Sequence, residues 1–258
     1  HGSGISGRKS QAAVCRGCSP SARAKQRFAA GAAPQPGDPG AILGDAAIID
    51  RWGRDTTREV PGTSHLSVID RQGNVVSLTA SVGGPFGSSR WVGGFLLNNQ
   101  LTDFAYNPLR GSKLVANSVA PGKRPRSSMS PTIVFDLQGQ LKLISGSPGG
   151  NSIVAYVAKT LVGVLRWGLP VQAAVDSPNI IARGRNVRVE TGVSGGEAVA
   201  KILSGAEYPV QERRGENSGL HIILVTKEGL KGAADRRREG EVIAVSALEA
   251  TVDVHQAN

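Results

Sequence analysis

The chain has few sulfur-containing and aromatic residues: its 258 residues include two cysteines, one methionine and only 4% aromatic residues. The cysteines are Cys15 and Cys18, a lone Cys-x-x-Cys pair. A zinc site would need a second pair of ligands, and no cysteine follows. A thioredoxin-like site would need a helix directly after the pair, but Ser-Pro-Ser follows. We therefore interpret the pair as incidental and expect no metal site.

Long apolar runs are absent as well. No segment approaches the roughly 18 uninterrupted apolar residues that a membrane-spanning helix needs, so we expect no membrane span. The first residue is His1 instead of methionine, and no apolar signal core follows it. We therefore expect that the start was cut or engineered and that any targeting segment is missing.

Acidic residues are missing before Asp38, although the whole chain carries a net charge of +10. Residues 1–39 are rich in Gly, Ala, Ser, Pro and Arg without an apolar period, which predicts a basic, disordered segment. A basic tail can also bind nucleic acid. We expect no such partner, but charge alone keeps nucleic-acid binding open as an alternative function. The basic residues that precede the first acid are Arg8, Lys9, Arg16, Arg23, Lys25 and Arg27.

The chain changes character after this segment. Residues 41–53, AILGDAAIIDRWG, predict a short helix that ends at Gly53, and 54–62 form a polar linker. From Thr63 onward, strand and turn signals are dense. We therefore predict a linker over 40–62 and one globular α+β domain over 63–258.

A β-hairpin is the first unit of this domain. The segments HLSVID and NVVSLTASV alternate apolar and polar residues, which predicts two strands. The loop between them, residues 71–73, ends in Gly73, which suits the positive φ that three-residue hairpin loops need. In this register Asp70 faces Asn74, and Thr63 faces Ser81.

Thr63 follows directly after the Pro-Gly turn of REVPGTSHLSVIDRQGN. A threonine within a chain is a poor nucleophile, but at a chain start its own α-amino group can take the hydroxyl proton. We therefore predict that the chain is cut between Gly62 and Thr63, with the Ser81 hydroxyl beside the new N-terminus.

A glycine-rich turn followed by a helix lies within residues 143–168, LISGSPGGNSIVAYVAKTLVGVLRWG. Two adjacent glycines, Gly149 and Gly150, let backbone N–H groups point together at an oxyanion. Asn151 or Ser152 is the expected cap of the helix. The expected apolar face of the helix comprises Ile153, Val157, Leu161, Val164 and Leu165.

Two further segments carry polar groups after or before strands. VAPGKRPRSSMSPTIVFD places Ser127 and Ser128 among basic residues, a pattern that suits anion capture. GGFLLNNQLTDFAYNP places Gln100 and Asp103 after an apolar strand, where they could hold an ammonium group or form an ordinary turn.

The order TSHLSVID, LLNNQLTDF, APGKRPRSSMSPTIV and SGSPGG resembles the small subunit of the γ-glutamyltransferases (γ-glutamyltranspeptidases), over about residues 63 to 245. This resemblance implies an N-terminal nucleophile hydrolase, an αββα sandwich, of which this chain carries the small-subunit half. It also implies autocleavage and γ-glutamyl transfer from glutathione-type donors to water, an amino acid or a peptide. It implies no cofactor, and a periplasmic or extracellular location.

The resemblance also assigns roles to individual positions. Thr63 matches the nucleophile, Ser81 a hydroxyl residue beside it, and Gly149 with Gly150 the oxyanion hole. The substrate ligands it implies are Ser127 and Ser128 for the α-carboxylate, and Gln100 and Asp103 for the α-amino group.

Two departures from the family pattern leave alternatives open. Gly83 stands where many members carry an asparagine that binds the substrate, so a glutaryl-type β-lactam acylase stays open, and an asparagine at 83 would be expected to restore a ligand. The family's long first subunit, which supplies an arginine for the α-carboxylate, is mostly missing; residues 40–62 would be its remnant. We expect that Arg124 and Arg126 do not replace that arginine, and a truncated, inactive fragment is a further alternative.

Overall fold

The computed structural model describes residues 52–53, 62–183 and 186–245. The predicted disordered segment 1–39, Cys15 and Cys18, and most of the linker 40–62 lie outside these residues. Within them the strands are β1 (Trp52–Gly53), β2 (Thr63–Ile69), β3 (Val75–Ser81), β4 (Trp91–Val92), β5 (Phe95–Leu96), β6 (Leu109–Arg110), β7 (Lys113–Val115), β8 (Thr132–Phe135), β9 (Leu141–Gly146), β10 (Ile180–Arg183), β11 (Asn186–Thr191), β12 (Val210–Arg214), β13 (His221–Thr226) and β14 (Gly229–Ala234). The helices are α1 (Ile153–Leu165), α2 (Val171–Asp176) and α3 (Gly196–Gly205).

An antiparallel sheet in the order β14-β13-β9-β8 forms the centre of the molecule. One face of this sheet packs against α1 and α2, because Leu143 and Ile222 share a buried cluster with Ile153, Val157 and other residues of the two helices. The buried side chains of this cluster are at most 8% exposed, so the cluster is the principal core of the described domain.

The buried face of helix α1 differs from the expected apolar face at three residues. Tyr156 and Thr160 are buried, whereas Leu165 is 45% exposed at the last position of the helix. Thr160 tolerates burial because its hydroxyl donates a hydrogen bond to the Tyr156 carbonyl, 3.0 Å away.

The hairpin of β2 and β3 packs on the other face of the central sheet. Its register is the predicted one: Thr63 pairs with Ser81, and the Asp70 amide donates to the Asn74 carbonyl. Gly73 has a φ of +84°, as the loop requires. The described part therefore stacks helices, a sheet and a hairpin, which are layers of the expected α+β sandwich.

The hairpin turns polar side chains toward the central sheet and apolar ones away from it. Thr63, His65 and Thr79 are buried, whereas the side chains on the opposite face are 45% to 49% exposed. The apolar residues of that outer face are Leu66, Val68, Val76 and Leu78. A face of this kind is usually covered in a complete sandwich.

The remaining strands form smaller sheets at the sides of this core. Strands β10, β11 and β12 make a three-stranded sheet, and β6 and β7 join β1 in another. Trp52 and Gly53 pair in parallel with Leu114 and Val115, so the helix predicted over 41–53 does not include its last two residues. In the described part of the chain, no helix has the length and apolarity to cross a membrane.

Candidate active site

Thr63 begins β2 and lies at the centre of a small hydrogen-bond network. Its hydroxyl donates to the Ser81 hydroxyl, with 3.3 Å between the two oxygens. Ser81 Oγ in turn donates to the Gly62 carbonyl oxygen, 3.2 Å away, and accepts from the Gly83 amide at 3.0 Å. One serine hydroxyl therefore touches both the expected nucleophile and the carbonyl of the peptide bond that precedes it.

Seven of the eight predicted site residues, Thr63 among them, line one pocket. This pocket is formed by the ends of β2 and β3, a 3₁₀ helix over Gln100–Asp103, and the loop before β8. The lining residues are Thr63, Ser81, Gly83, Gln100, Asp103, Arg126, Ser127, Ser128, Met129, Gly150 and Ile153. Gly149 is the remaining predicted residue, and it adjoins the pocket through Gly150.

The glycine turn before α1 adopts conformations that few other residues can reach. Gly149 and Gly150 have φ values of +131° and +57°. A Cβ on Gly149 would lie 2.5 Å from the Tyr156 ring, so the ring leaves room for glycine only. The shape of this turn therefore depends on where Tyr156 sits.

Tyr156 is held in place by a hydrogen bond to Glu216, which in turn forms an ion pair with Arg188. Its hydroxyl donates to Glu216 Oε2 at 2.6 Å, and Arg188 Nε lies 2.6 Å from Glu216 Oε1. Arg188 also donates to Ser152 Oγ at 2.9 Å, so the same guanidinium ties the start of α1 to β11. Burial, followed by the bond to Glu216, raises the pKa of Tyr156 to about 12, and the phenol stays a donor. Sequence patterns gave no signal for the contacts among Tyr156, Glu216 and Arg188.

Asn117 links two segments of the pocket, the 3₁₀ helix that contains Asp103 and the loop that contains Arg126. Its amide nitrogen donates to the Asp103 carbonyl at 2.7 Å, and its amide oxygen accepts from the Arg126 backbone N–H at 2.9 Å. Burial raises the pKa of the Asp103 carboxyl above its ordinary value, and the positive charge of Arg126 opposes that shift. Arg126 therefore lines the pocket near Asp103, on the loop before β8.

Gly83 lines the pocket, but its backbone has no room for a side chain. Its φ is +89°, and a Cβ there would overlap the side-chain oxygen of Asn99 and lie 2.9 Å from its Cγ. Asn99 cannot move freely, because its oxygen accepts from the Gly84 amide at 2.8 Å. An asparagine at 83 would therefore have to displace the Asn99 side chain and adopt a positive φ, and its effect on substrate binding stays a prediction.

Two stacked histidines, His65 and His221, lie between the hairpin and the central sheet, close to Thr63. The ring centroids of His65 and His221 are 6.1 Å apart. His65 Nδ1 is 2.7 Å from Thr79 Oγ1, and its Nε2 is 3.1 Å from Ser67 Oγ. Burial, and then the nearby His221, lower the pKa of His65 to about 4, so the ring is neutral near pH 7.

A third arginine, Arg238, contacts the backbone of Thr63. Arg238, in the segment after β14, donates to the Thr63 carbonyl at 3.4 Å and to the Asn217 carbonyl at 3.2 Å. It thereby joins the head of β2 to the loop before β13. Among the described residues, no group of three His, Cys, Asp or Glu side chains could hold a metal ion.

Comparison with known proteins agrees with this geometry. A family model described as Gamma-glutamyltranspeptidase matches residues 24–245. The chain is 34% identical over 218 residues to the "Glutathione hydrolase proenzyme" of Bacillus subtilis (strain 168). The aligned region covers 83% of this chain and 36% of that protein. The chain therefore spans about a third of the length of this curated relative.

A solved structure and a relative with a different name are also similar to this chain. The solved structure "Gamma-glutamyltranspeptidase from Pseudomonas nitroreducens complexed with L-DON" superposes with a TM-score of 0.61 at 31% identity, covering 71% of this chain and 100% of that one. The "Acylase ACY 1 proenzyme" of Pseudomonas sp. (strain SE83) is 31% identical over 191 residues, which are 73% of this chain and 33% of that protein.

Proposed function

Because this chain belongs to the γ-glutamyltranspeptidase family, we propose that it frees Thr63 by autocleavage and then uses Thr63 to transfer or hydrolyse γ-glutamyl groups. The observation that carries the proposal is the pocket around Thr63. In this pocket the hydroxyl of the proposed nucleophile, Thr63, is hydrogen-bonded to Ser81. The acidic side chain of Asp103 and the basic side chain of Arg126 line the same pocket. Both the curated relative and the solved structure bear names of this activity.

Autocleavage begins with attack of Thr63 Oγ on the Gly62 carbonyl carbon. Ser81 is suited to assist, because its oxygen accepts the Thr63 hydroxyl while its own hydroxyl donates to the Gly62 carbonyl oxygen. The Gly62–Thr63 C–N bond then breaks, and the freed amine takes up the proton. Water hydrolyses the resulting ester, which leaves a Gly62 carboxylate and a Thr63 with a free α-amine.

The released Thr63 repeats the same chemistry on a substrate. Its α-amine takes the hydroxyl proton as Thr63 Oγ attacks the γ-carbonyl, and the leaving amine receives that proton. We assign the oxyanion to the backbone amides of the turn at Gly149 and Gly150. One such donor is typically worth about 3 kcal/mol of barrier. Water or an amino group of an acceptor then takes the acyl group from Thr63.

The glutamyl end of the donor carries one carboxylate and one ammonium group. We assign the carboxylate to the hydroxyls of Ser127 and Ser128 and to the guanidinium of Arg126, since a guanidinium recognises carboxylates in two-point geometry. We assign the ammonium group to Gln100 and Asp103, which line the same pocket. With both charged groups held there, we expect the γ-carbonyl to face Thr63.

We further propose that a large subunit covers the outer face of the hairpin. The apolar side chains of β2 and β3 on that face are about half exposed in the described structure. Because the chain spans about a third of its curated relative, the rest of such a protein is a suitable occupant.

The proposal is tested by the mass of the folded, purified protein. The wild-type chain is expected to yield a fragment of 196 residues (258 − 62) that begins with Thr-Ser-His. The Thr63→Ala variant lacks the attacking oxygen and should remain a single chain. A folded wild-type protein that stays at full length would contradict the proposal.

A glutaryl-type acylase is the second candidate, and two observations favour it. The chain is 31% identical to a protein named as an acylase proenzyme. Gly83 also leaves its part of the pocket without a side chain that could bind an α-amino group. Relative kcat/KM for γ-glutamyl-p-nitroanilide and glutaryl-p-nitroanilide distinguishes the two candidates, since the acylase would prefer the donor without an ammonium group.

A further inference from the structure

The residue before the expected cleavage site is packed against backbone on the side where a side chain would stand. A Cβ on Gly62 would overlap the Gly83 carbonyl oxygen and lie 2.6 Å from the carbonyl oxygen of Gly84 and 2.7 Å from its carbon. The backbone of Gly62 does not have positive φ, so its conformation alone would admit alanine. The restriction therefore comes from these neighbours and not from backbone strain.

The neighbours of Gly62 cannot withdraw without breaking the network around Thr63. The amide of Gly83 donates to Ser81 Oγ at 3.0 Å, and the amide of Gly84 donates to Asn99 Oδ1 at 2.8 Å. A methyl group at residue 62 must therefore displace either this segment or residue 62 itself. In both cases Ser81 and the carbonyl of residue 62 move apart.

This separation bears directly on the bond that is cut. The carbonyl of Gly62 is the group that Thr63 Oγ attacks, and Ser81 donates to its oxygen at 3.2 Å. Misplacing a reacting group by about 1 Å can lower a rate on the order of a hundredfold. The close approach of residues 62, 83 and 84 thus sets the geometry for attack.

We infer that Gly62 is a positioning residue for autocleavage, and that this chain tolerates only glycine before its nucleophilic threonine. The inference rests on the proposed function, since it concerns the same cleavage. It adds a sequence requirement on the N-terminal side of the cut, made by the Gly83–Gly84 backbone.

The experiment compares the rate of autocleavage in the wild-type chain, Gly62→Ala and Gly205→Ala. Gly205 ends α3, has no atom within 4 Å of a Cβ and also lacks positive φ, so it receives the same methyl group without a clash. Appearance of the 196-residue fragment (258 − 62) is followed by mass spectrometry, and folding by circular dichroism and thermal unfolding. Hydroxylamine, which cleaves esters, is added to a parallel sample.

We expect Gly62→Ala to cleave about a hundredfold more slowly than the wild-type chain, and Gly205→Ala to cleave at the wild-type rate. Hydroxylamine should not rescue Gly62→Ala, because formation of the ester, and not its hydrolysis, is the step that the substitution slows. Its melting temperature should stay within about 5 °C of wild type, since the overlap is local. Equal rates for the three proteins, rescue by hydroxylamine, or loss of the fold would each overturn the inference. A wild-type chain that never cleaves would instead contradict the proposed autocleavage, and the role of Gly62 with it.

Discussion

Among single residues, Arg126 brings a positive charge to the pocket. It lines the pocket with Thr63 and opposes the burial-induced rise in the pKa of Asp103. A guanidinium and a carboxylate on one pocket can orient a ligand that carries both charges. Asn117 fixes the spacing, since it binds the backbone of both residues.

This assignment predicts that Arg126→Gln weakens binding of a ligand carboxylate. In the uncleaved Thr63→Ala background, the Kd for glutarate should rise about 10- to 100-fold, because a hydrogen bond to a charged group is worth roughly 1.5–3 kcal/mol. NMR titration measures the Kd without any need for turnover. Arg124→Gln, which changes an exposed neighbour outside the pocket lining, is the matched control. An equal effect of both substitutions would show that only general positive charge matters.

His65 predicts how stability depends on pH. The folded protein keeps this ring neutral down to about pH 4, whereas an unfolded chain binds the proton near the ordinary pKa of 6.5. The unfolded state therefore holds more protons between these values, and the free energy of unfolding falls as the pH drops from about 6.5 toward 4. The full effect is at most about 3.5 kcal/mol, since one pKa unit corresponds to about 1.4 kcal/mol.

Urea unfolding of Thr63→Ala at about pH 7.5 and pH 5 measures this effect without interference from cleavage. Adding His65→Gln should reduce the loss of stability between the two pH values by about 2 kcal/mol. His221 faces His65, and burial lowers its pKa as well, so a smaller part of the loss should remain. An unchanged pH dependence in the His65→Gln variant would show that this ring does not control acid stability.

Among the structural elements, the β2–β3 hairpin presents its apolar side outward. Exchanging Leu66 and Val76 for threonine keeps residues that suit a strand but removes much of this apolar surface. We expect the double variant to bind less anilinonaphthalene sulfonate and to aggregate more slowly than the wild-type chain. Ile202→Thr on α3, where a single apolar side chain is 69% exposed, is the control. No difference between the double variant and this control would argue against a docking face.

The hairpin also shows what the sequence can and cannot specify. Its register was predictable because residues 71–73 form a three-residue loop that ends in Gly73, which favours the pairing of Asp70 with Asn74 over a register slipped by one residue. Which of its two faces packs against the central sheet was not predictable, because alternation tells which residues share a face but not which face meets the sheet. His65 packs inward only because β13 places His221 opposite it and Gly146 leaves room for its ring.

The pocket shows the same limit at the level of separate elements. The residues singled out by motif order, such as Thr63 and Asp103, do converge in one pocket. Their supports do not form a local pattern: Asn117, Glu216 and Arg238 reach the site from distant parts of the chain. Long-range hydrogen bonds of this kind depend on the tertiary fold and leave no periodic signal.

At the level of the whole molecule, the chain spans about a third of the curated relative it matches, but covers the whole of one solved chain of the family. The described structure supplies Thr63, the proposed nucleophile, together with a glycine turn and the polar walls of one pocket. It also has an apolar hairpin face that is about half exposed. A partner on that face would restrict the motion of β2, which carries Thr63 at its head.

We therefore predict that the chain alone is a poor enzyme and that a large subunit from a complete relative raises its activity. Covering the hairpin should fix Thr63 relative to the pocket, and loose positioning of about 1 Å can cost on the order of a hundredfold in rate. Hydrolysis of γ-glutamyl-p-nitroanilide is measured for the cleaved chain alone and after addition of a separately expressed large subunit. The Thr63→Ala chain with the same subunit controls for activity that the added protein brings. If the chain alone is as active as the mixture, the pocket is complete without a partner, and the outer face of the hairpin has another role.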